Sequence, residues 1–198
     1  ARRCLEDLRF TTDLLLGMII DMLDVYQENY SGLPVSTSPV SLGALLNEVI
    51  HLFRSEADAQ GVEFHLDVPP EELQVMGDGR RLQRVLINLV HNALKYSPPR
   101  GTIFLTVRRG AGAETTIIEV ADQGPGIAPE DQPHLFEMFF KKKDGQDYRF
   151  GRGLGLHFCR LVIDAHGGRI GAANRAEGGA VFTIELPIGK ERLCPSAF

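Results

Sequence analysis

Residues 82–97, LQRVLINLVHNALKYS, constrain this chain more than any other stretch. Leu82, Val85, Leu86, Leu89 and Ala93 recur at helical spacing, so one stripe is apolar and faces a core. Arg84, Asn88, Asn92 and Lys95 follow one another at intervals of four, four and three. Such spacing projects them from one side of a single helix. Two amides and two cations side by side, with no carboxylate among them, suit an anionic ligand held together with a metal. An asparagine carbonyl oxygen serves a hard cation such as magnesium, which keeps some waters and binds phosphates at the same time. The plain alternative is a solvated polar helix face.

The 198 residues suffice for one ordinary domain plus an extra element, or for two small domains. A net charge of −5 argues against nucleic acid or an anionic membrane surface as partner. Cys4, Cys159 and Cys194 are odd in number, widely spaced and without a zinc pattern, which suggests a reducing, cytoplasmic setting. The longest apolar run, residues 14–20, is far too short to span a bilayer, and no signal peptide is evident. The chain starts with Ala1 inside a helical pattern, which reads as a piece excised from a parent that could carry a membrane anchor.

Residues 5–26 show two overlapping heptad-like seams. Leu5, Leu8, Thr12, Leu15, Ile19, Met22 and Tyr26 form one; Leu8, Thr11, Leu15, Met18, Met22 and Val25 form the other. A helix apolar over so wide a face suits a bundle with more than one partner helix. Packing back on the main domain is the simpler alternative. Residues 31–41, rich in Ser, Pro and Gly, read as a linker. Residues 42–190 read as the main domain and 191–198 as a tail.

Within that domain Ser41 can cap a helix from 42 to about 59, stopped by Gly61. Leu42, Leu45, Leu46, Val49, Leu52 and Phe53 are expected on its buried face. Residues 62–68 alternate as a strand, and a short segment around Val75 is expected to pair with it. Asp78 looks like the N-cap of the 82–97 helix. Strands are expected at 102–108, 116–121, 169–173 and 180–186, and a helix at 154–165. The fold class is α+β: a two-layer α/β sandwich, with a mostly antiparallel sheet covered by helices on one face and preceded by a bundle helix.

Two glycine-rich stretches interrupt the sheet. The first, DQGPGI (122–127), ends a strand. Asp122 there can accept a hydrogen bond from an exocyclic amine. The second, GRGLGL (151–156), runs straight into a helix, whose free N–H groups and dipole make a ready phosphate site. The spacing is neither the dinucleotide fingerprint nor a P-loop.

In order and spacing these stretches resemble the catalytic ATP-binding domain of two-component sensor histidine kinases. That family shares a superfamily with gyrase, the ninety-kilodalton heat-shock chaperones and the MutL mismatch-repair proteins. NLVHNALKYS is similar to its N box, DQGPGI to its G1 box, LFEMFF (135–140) to its F box and GRGLGL to its G2 box. HGGRI and GGAVFTIELP resemble its closing strands. The resemblance spans roughly residues 40–188 and implies a Bergerat-type ATP-binding fold. Residues 1–30 resemble the second helix of the family's dimerisation and phosphoacceptor hairpin, which implies a homodimer in the parent.

The resemblance implies ATP and Mg2+ as ligands. Asn92, helped by Asn88, would coordinate magnesium on the ATP phosphates; Lys95 would contact phosphate and Tyr96 the adenine or ribose. Asp122 would bind the adenine amino group, with Gly124, Gly126 and Ile127 shaping the pocket. Gly151, Gly153, Leu154, Gly155 and Leu156 would form the phosphate-side loop. Residues 128–150 would be an ATP lid, with Lys141, Lys142, Lys143 and Arg149 as cations within reach of phosphate, or merely solvated. Phe136 and Phe139 would anchor that lid by packing, and Cys159 is expected in the core. ATP-hydrolysing relatives carry a Glu four residues before the magnesium Asn. Here Asn88 stands there, and an amide is a poor general base.

The implied activity is therefore a protein-histidine kinase: transfer of the γ-phosphoryl to a histidine, then to a response-regulator receiver aspartate, with Asn88 and Lys95 as the catalytic side chains. The acceptor motif is absent from this sequence. Histidines 51, 65, 91, 134, 157 and 166 all fall in the catalytic region, and His91 and His166 read as structural. An excised acceptor helix fits the start of the chain inside the bundle pattern; phosphorylation in trans and a nucleotide-binding pseudokinase stay open. An anti-sigma-type protein-serine kinase, which shares the boxes, is the remaining alternative.

Overall fold

Capping chemistry sets the first helix. The computed structural model describes residues 35–71, 73–111, 114–138 and 154–188. Strand β1 (Ser38–Ser41) leads directly into helix α1 (Leu42–Gln60). The Ser41 hydroxyl accepts from the Ala44 N–H, and Gly61 closes the far end in the left-handed conformation. Leu42, Leu45, Leu46, Val49, Phe53 and Ala57 are buried. Leu52, expected beside them, is 52% exposed. At 100° per residue the buried stripe follows 46, 49, 53 and 57, which leaves position 52 at its edge.

Strand β2 (Glu63–Asp67) is followed by β3 (Gln74–Gly77). The expectation that the Val75 segment pairs with the 62–68 strand is overturned. β3 instead pairs antiparallel with β1, from Ser38↔Gly77 to Ser41↔Gln74. Residues 38–41, read as the end of a linker, supply this partner. Pro39 disguised the strand, and it is tolerated because β1 lies in a two-stranded ribbon with a free edge. Val40 and Val75 face each other across the ribbon and are both buried.

Helix α2 (Gly79–Tyr96) is capped by Asp78, whose Oδ1 accepts the Arg81 N–H at 3.1 Å. It buries Leu82, Val85, Leu86, Leu89, Val90, Ala93 and Leu94. Because α2 is a crossover, β4 (Thr102–Arg109) returns parallel to β2. β5 (Thr115–Ala121), a 3-10 turn (Gln132–His134), α3 (Gly155–Ala165), β6 (Arg169–Asn174) and β7 (Ala180–Pro187) follow.

The main sheet runs β2-β4-β5-β7-β6, antiparallel except for the β2–β4 pair. Alternation puts Ile103, Leu105, Val107, Ile118, Val120, Phe182, Ile184 and Leu186 on one buried face. The helices cover that face, with α2 between α1 and α3. Phe158 and Cys159 of α3 are fully buried, and full burial of a side chain like Phe158 contributes about 1.5–3 kcal/mol. Among the described residues no helix is long and apolar enough to cross a membrane. The seams of residues 5–26, Cys4, Cys194, Phe139, most of the lid and the tail lie outside the described residues.

Candidate functional site

The site is built where β5 ends. Asp122 is 4% exposed, and it is one of two buried polar side chains among the described residues. A carboxylate is placed there only with partners. Its Oδ1 accepts the N–H of Gly124 at 2.8 Å and that of Ala180 at 3.2 Å. Oδ2 accepts no hydrogen bond among the described residues. The Asp122 N–H donates to the Ala180 carbonyl, which ties the start of the loop to β7. Gln123 Oε1 accepts the Thr102 N–H at 2.8 Å.

Gly124 lies hard against the end of α2. A Cβ placed there would press on the Tyr96 carbonyl and stand 2.9 Å from Asp122 Oδ1. The loop thus passes beside the Lys95–Tyr96 step as a bare backbone. Tyr96 is 48% exposed, and the Lys95 ammonium sits 5.1 Å from its ring centre. One helix end and the DQGPG turn therefore share a wall.

Earlier along α2 the helix meets the second glycine stretch. A Cβ on Gly155, the first residue of α3, would stand 3.3 Å from Asn88 Oδ1. Asn88 Nδ2 is buried and has no hydrogen-bond partner among the described residues. Asn92, one turn on, is half-buried and ties to no neighbour among the described residues. Asn88 and Tyr96 are eight residues apart, so α2 spans about 12 Å between the start of α3 and the DQGPG turn. Leu154 is buried and Leu156 packs against the core, so both hold α3 in place. Gly151, Gly153, Lys141, Lys142, Lys143 and Arg149 lie outside the described residues. Arg84, read from its spacing as a fourth member of the polar stripe, lies over the Phe158 ring with 5.1 Å to its centre.

Several contacts that hold the site were missed in the sequence. Asn174 Oδ1 accepts the Ile127 N–H at 2.7 Å, and its Nδ2 donates to the Ile127 carbonyl at 2.8 Å. Arg175 Nη1 donates to the Asp122 carbonyl at 2.9 Å, with its guanidinium 4.8 Å from the Phe104 ring centre. His166 Nε2 accepts the Asp78 N–H at 2.9 Å, which leaves the proton on Nδ1 to be donated to the Val162 carbonyl. This neutral ring pins the start of α2 to the end of α3. Only the neighbouring Gly-Gly dipeptides, which mark turns, hinted at these places. His157 Nδ1 meets the Phe136 carbonyl at 2.9 Å, and Phe136 packs against the core.

Among the described residues two titratable groups depart from their ordinary values. Burial first, then the Lys95 charge, pushes His91 down. Its ring stacks on Phe53 with centres 6.2 Å apart. Burial pushes the Glu56 carboxyl up.

Fold and site together define a two-layer sandwich in which one helix joins a carboxylate-bearing glycine turn to the start of a second helix. The chain belongs to the histidine kinase-, DNA gyrase B- and HSP90-like ATPase family (HATPase_c), which it matches over residues 77–190. Within that family it carries the ATP-binding catalytic domain of sensor histidine kinases. It is 30% identical to the sensor protein KdpD of Clostridium acetobutylicum over 177 residues, 89% of this chain and 19% of that protein. The catalytic domain of the histidine kinase ThkA is 34% identical, with a TM-score of 0.68, covering 77% of this chain and 96% of ThkA's. Full-length ShkA, solved with AMPPNP, is 30% identical with a TM-score of 0.78, covering 96% of this chain and 39% of ShkA's. ThkA in complex with the response regulator TrrA is also similar, at 28% identity and a TM-score of 0.71, covering 91% of this chain and 50% of that one. The chain spans less than half the length of the curated relatives it matches, from 19% to 45% of each.

Proposed function

We propose that this domain binds Mg·ATP between α2 and the two glycine turns, and that the protein to which it belongs passes the γ-phosphoryl to a histidine. The observation that carries this reading is Asp122. Backbone N–H groups hold one carboxylate oxygen, and the other accepts nothing from the described residues, so it suits the 6-amino group of adenine. Gly124, Gly126 and Ile127 line the base end, and Tyr96 lies beside the adenine or ribose.

The residues fit magnesium. Asn88 and Asn92 supply amide oxygens for the ion, and the buried Asn88 Nδ2, an orphaned donor among the described residues, suits a phosphate oxygen beside it. Among the described residues no three His, Cys, Asp or Glu side chains cluster to cage a metal, so an ion there would depend on phosphate and water oxygens, as magnesium does. When bound, the ion supplies charge neutralisation on the phosphates. Lys95 adds a positive charge, and the start of α3 at Leu154 and Gly155 offers N–H groups.

In the transfer an imidazole nitrogen attacks the γ-phosphorus, the bond to the β,γ-bridging oxygen breaks, and ADP leaves. Positioning and electrostatics carry most of such a reaction. Asn88 has no basic oxygen to polarise water, so hydrolysis is slow and the phosphoryl is conserved for the histidine. The acceptor lies on a hairpin helix that pairs with residues 1–30 in a homodimer on the cytoplasmic side, and a receiver-domain aspartate takes the phosphoryl next. The ThkA–TrrA complex supports the last step.

The test is labelled ATP on a longer parent chain. Acid-labile, base-stable label on the protein is expected; acid-stable label would assign a hydroxyl acceptor and overturn the histidine. In calorimetry, this chain should bind ATP with magnesium and lose most of that affinity in EDTA.

A further inference from the structure

We propose that Asn174 is a positioning and specificity-determining residue for the base end of the nucleotide site, an inference that rests on the Mg·ATP reading. Asn174 ends β6, an edge strand of the main sheet, 47 residues beyond Ile127. Its amide grips both the N–H and the C=O of Ile127, at 2.7 and 2.8 Å, as one rung of a sheet would. Ile127 is thereby paired although no strand runs beside it.

The grip sits where the backbone needs it. Gly126 has φ 77°, a region that side-chain-bearing residues avoid, and a Cβ there would stand 2.8 Å from Asn174 Oδ1. The turn can take this shape only with the amide on its far side and no side chain between. The rest of the β6–β7 hairpin holds the other end of the same turn. Arg175 donates to the Asp122 carbonyl, Ala180 donates to the Asp122 carboxylate, and Gly179 lies so close that a Cβ would collide with the Asp122 carbonyl. Asp122 is thus held at its root and Ile127 at the exit, both by one hairpin. The distance between the carboxylate and the Ile127 wall, which sets what purine edge fits, is then decided by Asn174 rather than by the loop's own residues. An amide is the side chain for this task because it alone presents one donor and one acceptor in a fixed plane.

Asn174→Ala tests this by calorimetry with ATP, ADP, AMP and GTP. Two lost hydrogen bonds should weaken ATP, ADP and AMP by a common factor of roughly tenfold, because the defect is at the base. The preference for ATP over GTP should fall by a similar factor, which simple destabilisation would not cause. In nucleotide-free protein, the Ile127 amide should exchange with solvent faster in the variant. Asn174→Asp keeps the acceptor and loses the donor, and should fall between the two. Unchanged affinity ratios in a folded Asn174→Ala, with Asp122→Ala still defective, would overturn this inference alone. A wild-type chain that binds no adenine nucleotide would instead overturn the reading beneath it.

Discussion

The two ends of the site are built differently. At the base end every turn of the backbone is tied: Asp122, Gln123 and Ile127 are bonded to Ala180, Thr102 and Asn174. At the end proposed for the phosphates, Asn88 Nδ2 is buried and unpartnered among the described residues, with Gly155 bare beside it. A buried polar group without a partner costs about 1–3 kcal/mol, so the phosphate end stores a demand that a ligand can meet. Under the proposed Mg·ATP reading, the contrast means that recognition of the base is preorganised, whereas assembly around the phosphates is completed by what binds.

That contrast can be broken most sharply at Asp122. Asp122→Ala should reduce ATP affinity on the order of a hundredfold and lower stability by about 1–3 kcal/mol, because two backbone N–H groups lose their acceptor. Calorimetry and urea melts report the two losses separately; intact affinity would end the claim that the base end is prebuilt around this carboxylate.

Asn92→Ala should act at the other end. A fall of roughly tenfold in Mg·ATP affinity is expected, with AMP binding unchanged, since AMP does not need the bridging ion. Titrations with and without magnesium should converge in the variant. Equal losses for AMP and ATP would erase the distinction between the ends.

Gly155→Ala is milder and has opposite signs in two measurements. The new methyl would stand 3.3 Å from Asn88 Oδ1, so the amide must give way by a few tenths of an ångström. ATP affinity should drop about threefold, while melting temperature holds or rises, since Ala in a helix is favoured over Gly by about 0.5–1 kcal/mol. A loss in both would mean that this place is ordinary packing.

The smallest effect concerns pH. His91 is depressed below 6.5 by burial and then by Lys95, so just below that value the unfolded chain binds more protons than the folded one. Its share of stability is therefore present above pH 6.5 and is lost as pH falls through the interval beneath it. Glu56, raised above 4.5, works in the opposite sense, losing stability as pH rises through its own interval. His91→Gln should flatten the melting temperature between pH 7 and pH 5 relative to wild type. An unchanged slope would show that this histidine does not titrate against folding.

Much of this molecule could be read from local pattern. The caps at Ser41 and Asp78, the stop at Gly61, the five strands of the main sheet and the order of the four boxes all depend on residues a few positions apart. Helical and extended periods, and the few residues that end them, are properties of the chain itself. The approach of Gly124 to Tyr96 and of Gly155 to Asn88 joins stretches that local pattern alone would not have joined. What only the tertiary structure decided is who meets whom across long separations. β3 chose β1 over β2, Leu52 turned outward, Arg84 lay on Phe158, His166 bridged two helices and Asn174 closed on Ile127. Each of these is a choice among partners that satisfy the same local rule equally well. It is settled by burial and by the cost of leaving buried polar groups unpaired, conditions that exist only once the layers have come together.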